Sequence, residues 1–154
     1  MPKIDPAAAT YVHGTGYPPP LDAPCRERRR WQLGDVAGLT QFGVNRLVLA
    51  PGVWSSQRHN HTHEDEFVIV LAGEVVLVED AGESVLKAGD CAGFKAGDPN
   101  AHCLINRSDA EAVVLEVGGR DDRDSSDYPD IDMIIRGGDD HYSHRDGTPY
   151  PKSF

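Results

Sequence analysis

The chain has 154 residues, 39% of them hydrophobic, which suits one packed domain and excludes a wholly disordered chain. Its 25 acidic residues against 15 basic ones give a formal charge of −10, which argues against duplex nucleic acid or an anionic membrane as the main partner. No apolar run approaches the ~20 residues of a membrane helix, residues 1–10 hold no apolar signal core, and the three cysteines (Cys25, Cys91, Cys103) lack CxxC spacing. Neither a disulfide framework nor a zinc knuckle is expected, and the cytoplasm is the expected compartment.

Residues 1–24 carry Pro2, Pro6, Pro18, Pro19, Pro20 and Pro24 with little apolar pattern, and read as an extended arm, partly ordered at best. Arg26, Arg28, Arg29 and Arg30 form the one basic run, expected as a solvated face or edge. Residues 31–43 read as a link with one turn of helix, punctuated by Gly34 and Gly38.

Seven short runs rich in β-branched residues follow, at 45–50, 66–71, 74–79, 83–87, 90–94, 102–106 and 111–117. Ala72-Gly73 and Ala81-Gly82 fall where hairpin turns belong. Closely spaced strands without an amphipathic helix between them predict an all-β sandwich or barrel over 25–119. Beyond it, residues 120–146 hold nine Asp and four Arg, with an edge strand expected at 131–135 and an irregular tail after it.

Histidine is the informative residue. On a strand, positions i and i+2 share a face, so His59 and His61 point the same way, and two neutral imidazoles projecting together suit a metal ion. Glu66, Val68 and Val70 share a face of the next strand, with Glu66 at its first inward position, and His102 opens a later one. Two alternatives stay open at this point: the alternating histidines are exposed to solvent, or His102 belongs to a loop.

The spacing resembles the cupin superfamily. Its first motif is Gly, five residues, His-x-His, three or four residues, Glu, six residues, Gly; Gly52, His59, His61, Glu66 and Gly73 match it, with six residues rather than five after Gly52. The second motif is met by Gly89, Gly97, His102 and Asn106, with Lys95 in place of Pro and four residues rather than two before His102. The resemblance, closest to small single-domain bacterial cupins, covers about residues 44–117 and implies a double-stranded β-helix, a jelly-roll sandwich barrel with a metal in its mouth. It implies His59, His61, Glu66 and His102 as ligands of one divalent transition ion (Mn, Fe, Ni, Zn or Co). Taking His61 and His63 as the pair would leave two residues before Glu66, so His63 is assigned outside the ligand set. His13, His141 and His144, in polar terminal segments, are expected in solvent.

Three imidazoles and a carboxylate around an octahedral ion leave two positions open, an arrangement suited to Lewis-acid or oxygen chemistry. Oxygenase, decarboxylase and isomerase activities all occur among cupins, and fold does not choose among them. No catalytic acid or base is legible. Ser55 and Gln57 would share the face of His59 and His61, Asn45 or Arg46 would face the cavity, and Tyr128, Tyr142 and Tyr150 would reach it only if the tail folds back. Cys91 and Cys103 are expected as inert thiols.

Two functions are therefore expected: a metal-dependent enzyme for a small organic or sugar-type substrate, or a non-catalytic metal and small-ligand sensor. An acid/base group or anion clamp beside the metal separates them. A homodimer is expected, with the 128–136 strand or the N-terminal arm at its interface.

Overall fold

In the computed structural model, residues 3–151 are described; the first two residues of the expected arm and the last three of the expected tail lie outside them. The chain forms β1 (Thr10–His13), β2 (Arg29–Gln32), the single helical turn α1 (Leu33–Val36), β3 (Phe42–Leu49), β4 (Asn60–His61), β5 (Glu66–Ala72), β6 (Glu74–Glu79), β7 (Gly82–Lys87), β8 (Cys91–Phe94), β9 (Cys103–Ile105), β10 (Ala112–Gly119), β11 (Ser126–Tyr128) and β12 (Met133–Ile135). All pairings are antiparallel, in a six-stranded sheet ordered β1-β2-β3-β10-β5-β8 and two three-stranded sheets, β7-β6-β9 and β12-β11-β4. This is the all-β jelly-roll barrel that the strand pattern and the motifs imply.

Period-two alternation builds the core. Leu47 and Leu49 on β3, Val68 and Val70 on β5, and Ala112 and Val114 on β10 face inward and meet Val75, Leu77 and Leu104 from the facing sheet. Leu47, Leu49 and Val114 are fully buried, so truncating either leucine to alanine would cost about 2–5 kcal/mol. Between β5 and β6 the chain reverses at Gly73, where φ is +72° and an added Cβ would lie 2.7 Å from the Glu111 carbonyl oxygen.

The ends of the chain differ from expectation. Thr10–His13 is a strand paired to β2, so this part of residues 1–24 is a sheet edge rather than a loose arm. Tyr17 and Cys25 are buried with Tyr128 and Met133 in a second, smaller apolar cluster, which Trp54, Ile131 and Tyr142 flank. Neither terminal segment has enough apolar surface alone; together they make a core against the barrel wall. The strand expected at 131–135 is shorter, and its outer edge is taken by the tail, since Ile134 and Ser143 exchange backbone hydrogen bonds of 2.9 Å.

The basic run is also corrected. Arg29–Gln32 lies between β1 and β3, with Arg30 opposite Leu47 and therefore on the inward face. Arg28 is 8% exposed. Only alternate members point out, Arg29 pairing with Glu111. A run of arginines on a strand is divided between two faces, which composition does not show.

Candidate metal centre

Across the six-stranded sheet, Gly43, Gly118, Glu66 and Phe94 occupy one inward row, and Gln32, Asn45, Glu116, Val68 and Ala92 the next. Gly118 beside Glu66 carries no side chain to crowd its carboxylate, since an added Cβ would lie 3.6 Å from Oε1. His59 and His102 come from facing segments that bond to each other through both backbone groups, His59 N to His102 O at 3.1 Å and the reverse at 2.8 Å. That bridge brings the two motifs together despite the longer loop before His102.

His59, His61 and Glu66 bring their ligand atoms within 4.8 Å of one another, and His102 reaches this group through Glu66. Glu66 Oε2 lies 2.8 Å from His102 Nε2, 3.6 Å from His61 Nε2 and 3.9 Å from His59 Nε2. His59 Nδ1 lies 2.9 Å from the Gln57 carbonyl oxygen and His61 Nδ1 2.6 Å from Asp124 Oδ2. Those partners only accept, so Nδ1 carries the proton in both rings and each Nε2 lone pair is turned toward Glu66. Burial pushes His59 down to about 4, keeping it neutral. Burial alone would raise Glu66, but the hydrogen bond from His102 and the nearby imidazoles outweigh it and hold the carboxyl at about 2. Two imidazoles with their Nδ1 atoms engaged, a third ring nearby, an ionised carboxylate and no thiolate are a donor set that fits a divalent transition ion.

The rings are held by packing as well. Phe94 stacks on His102 at 3.5 Å between centroids and 2° between planes, and Tyr128 stacks on His59 at 5.6 Å. His102 Nδ1 is buried without a hydrogen-bond partner among the described residues, so the ring is oriented by Phe94 and by the bond between its Nε2 and Glu66.

His63 stands apart: its backbone N–H donates to Asp124 Oδ1 at 2.8 Å and its ring contacts the Thr62 hydroxyl. His13, His141 and His144 are paired with Glu27, Asp140 and Asp132 at the surface. Ser55 lines the cavity, whereas the Gln57 side chain turns away and donates to the Leu21 carbonyl at 2.6 Å. Asn45 faces the cavity; Arg46 is on the outer face, 4.3 Å over the Trp31 ring. Burial pushes the Cys103 thiol up to about 12, as befits an inert thiol, while Cys91 is exposed.

The cavity in front of the cluster measures about 410 Å³. Its walls include Tyr142 and, beyond what the sequence pattern reveals, Arg28 and Arg30 from the basic run, Glu64 and Glu116, and Tyr17. Burial raises both Glu64 and Glu116; Arg30 and Arg28 partly offset this at Glu116. The tail does fold back, since Tyr128 and Tyr142 both reach the site. A second close group, His61, Glu64 and Asp124, shares His61 with the first. The only sequence signals for these groups are a lone acid in the apolar run of β10 and the i, i+2 spacing of Arg28 and Arg30.

Comparison with known proteins agrees with this architecture. Residues 45–118 match the family model described as a cupin domain. A crystal structure of a sugar phosphate isomerase from a cupin superfamily, from Silicibacter pomeroyi, is 43% identical and superimposes with a TM-score of 0.90, covering 97% of each chain. A candidate sugar phosphate isomerase from Acidithiobacillus ferrooxidans is 28% identical with a TM-score of 0.71, covering 82% of this chain and 81% of that one. A Cupin 2 conserved barrel domain protein from Salinispora arenicola, 24% identical with a TM-score of 0.54 over 78% of this chain and 87% of that one, shares the fold. No curated protein matches. The two histidine motifs converging inside one jelly-roll barrel, and an identity of 43% over nearly the whole chain, make this protein a member of the cupin superfamily.

Proposed function

We propose that the protein is a metal-dependent isomerase acting on a small sugar-type substrate, with one divalent transition ion held by His59, His61, Glu66 and His102. The observation that carries this reading is Glu116, a half-buried carboxyl lining the same cavity that takes no part in the cluster. A module that only holds a metal and a ligand has no use for a separate acid there. Interconverting an aldose and a ketose needs one, because a proton must leave the carbon next to the carbonyl and return to its neighbour.

When bound, the ion would supply Lewis acidity at the carbonyl oxygen. Glu116 takes the proton from one carbon on a carboxylate oxygen and gives it to the neighbouring carbon, while the hydroxyl proton passes to the former carbonyl oxygen, so the reaction closes without a redox partner. Burial raises its pKa, which brings the base nearer the operating pH. Tyr17 and Tyr142 help wall the cavity against water. The Silicibacter protein, named a sugar phosphate isomerase, supports the same class of reaction.

The test is to incubate metal-loaded protein with a panel of aldoses and ketoses, free and phosphorylated, in heavy water. Deuterium is expected at the carbon beside the carbonyl of the true substrate, and Glu116→Gln is expected to lose exchange while keeping its metal. No exchange with any member would leave the sensor module as the function.

The same reading holds the protein to be a cytoplasmic homodimer. Three free cysteines, one of them exposed, support a reducing compartment. Tyr11, Phe67 and Leu71, between 43% and 49% exposed on the outer face of the six-stranded sheet, support a second copy there, with β1 of the N-terminal segment at its rim.

A further inference from the structure

Arg28 and Arg30 line the cavity that receives the histidine cluster, and neither meets a carboxylate within ion-pair distance among the described residues. Arg28 is hydrogen-bonded to backbone alone among the described residues: Nε donates to the Gly14 carbonyl at 3.1 Å and Nη1 to the Ser55 carbonyl at 2.6 Å, which leaves Nη2 for a ligand. Among the described residues the Arg30 guanidinium has no hydrogen-bond partner, and its Nε is buried. Burial, and then the charge of Arg28, push Arg30 down; Glu116 is the acid that offsets this, and burial raises that acid itself. Two like charges held side by side are costly, and the single carboxyl of Glu116 offsets them only in part.

We propose that Arg28 and Arg30 form the binding site for a dianionic phosphoryl group. Two guanidiniums against the one carboxyl of Glu116 leave positive charge over in the cavity, which an anionic phosphoryl group can balance. The planar guanidinium fork matches the spacing of phosphoryl oxygens. Tyr17 lines the same cavity, and burial, its largest influence, raises its pKa, so the phenol keeps its proton and can donate. Resting on the isomerase reading, the site further names the substrate class: a phosphorylated sugar, its phosphate on Arg28 and Arg30 and its carbonyl end toward the histidine cluster.

The experiment is calorimetric titration of inorganic phosphate into the metal-loaded protein, its Arg30→Gln and Arg30→Lys variants, and His61→Ala, with acetate and chloride as controls. Wild type is expected to bind phosphate saturably and acetate more weakly. Arg30→Gln is expected to weaken phosphate by about ten-fold or more, and Arg30→Lys by less, because one charge-assisted fork is lost or reduced to a point charge. His61→Ala is expected to keep phosphate binding, since the ion is not its seat. Arg30→Gln is also expected to lose the rise in melting temperature that phosphate produces in wild type. Phosphate affinity unchanged in Arg30→Gln, lost in His61→Ala, or matched by chloride would overturn the proposal. Phosphate binding with no isomerisation of any sugar sinks the isomerase reading alone; turnover of free sugars with no phosphate binding sinks this one alone.

Discussion

Asp124 Oδ2 lies 2.6 Å from His61 Nδ1, so a carboxylate from the acidic C-terminal segment sets the tautomer of an imidazole on β4. The same carboxylate accepts the backbone N–H of His63 at 2.8 Å, tying the segment to the chain beyond the pair. Carboxylates placed behind a ligating histidine fix its ring and raise its basicity. Asp124→Asn is therefore expected to lower metal affinity about 10–100-fold while the fold persists. Competition with a chelator measures this, and an unchanged affinity would confine Asp124 to holding the loop.

His61 and His63 separate the two registers available to the motif. His61→Ala is expected to strip about one ion per chain from purified protein, and His63→Ala to leave most of it, because the His63 ring contacts Thr62 rather than Glu66. Elemental analysis of both variants decides it. Loss in His63→Ala with retention in His59→Ala would place the ligand pair two residues later.

Acid should release the metal. Imidazole ligands must be neutral to bind, and an ordinary imidazole titrates near ~6.5, so affinity is expected to fall between about pH 7 and 5. His59, held at about 4, and Glu66, at about 2, keep their binding forms further into acid and complete the loss there. Metal retention measured against pH after gel filtration tests this. Retention that does not vary with pH contradicts imidazole ligation.

Glu116 carries the opposite dependence. Its folded pKa is raised by burial, so as pH climbs past the unfolded carboxyl value of ~4.3 the unfolded chain loses its proton first, and stability falls with rising pH. Glu116→Gln removes that loss. The variant is expected to melt with wild type near pH 4 and above it at pH 7.5, by about 2–4 °C for each kcal/mol at this chain length. A variant that melts lower at both pH values would mean that the carboxylate is structurally satisfied as it stands.

The assembly prediction rests on the outer sheet face. Phe67→Asp is expected to shift the protein from dimer to monomer in light scattering at micromolar concentration, with metal content unchanged because Phe67 points away from the cavity while Val68 points into it. Removing residues 1–24 is the poorer test, since it would take Tyr17 out of the second core. Wild type scattering as a monomer ends the prediction.

The amino-acid order by itself determined the features whose partners are near in the chain. The apolar runs of β3, β5, β6 and β10, the turn at Gly73 and the shared face of His59 and His61 follow from a side-chain period of two, which any four or five consecutive residues display. Tertiary structure decided everything that depends on which strand lies beside which. Arg30 faces the cavity because β2 pairs with β3 in the register that sets it opposite Leu47; a slip of one residue would turn it to solvent and bring Arg29 inward. Asp124 and Tyr128 reach the histidines only because the C-terminal segment folds back as β11 beside β4, and no local pattern in a stretch so rich in Asp distinguishes the one carboxylate that lands on His61. The ligand cluster was legible because a metal demands particular residue types at particular spacings. The groups around it were not, because ordinary arginines, tyrosines and acids gain their roles from burial, and burial belongs to the assembled barrel.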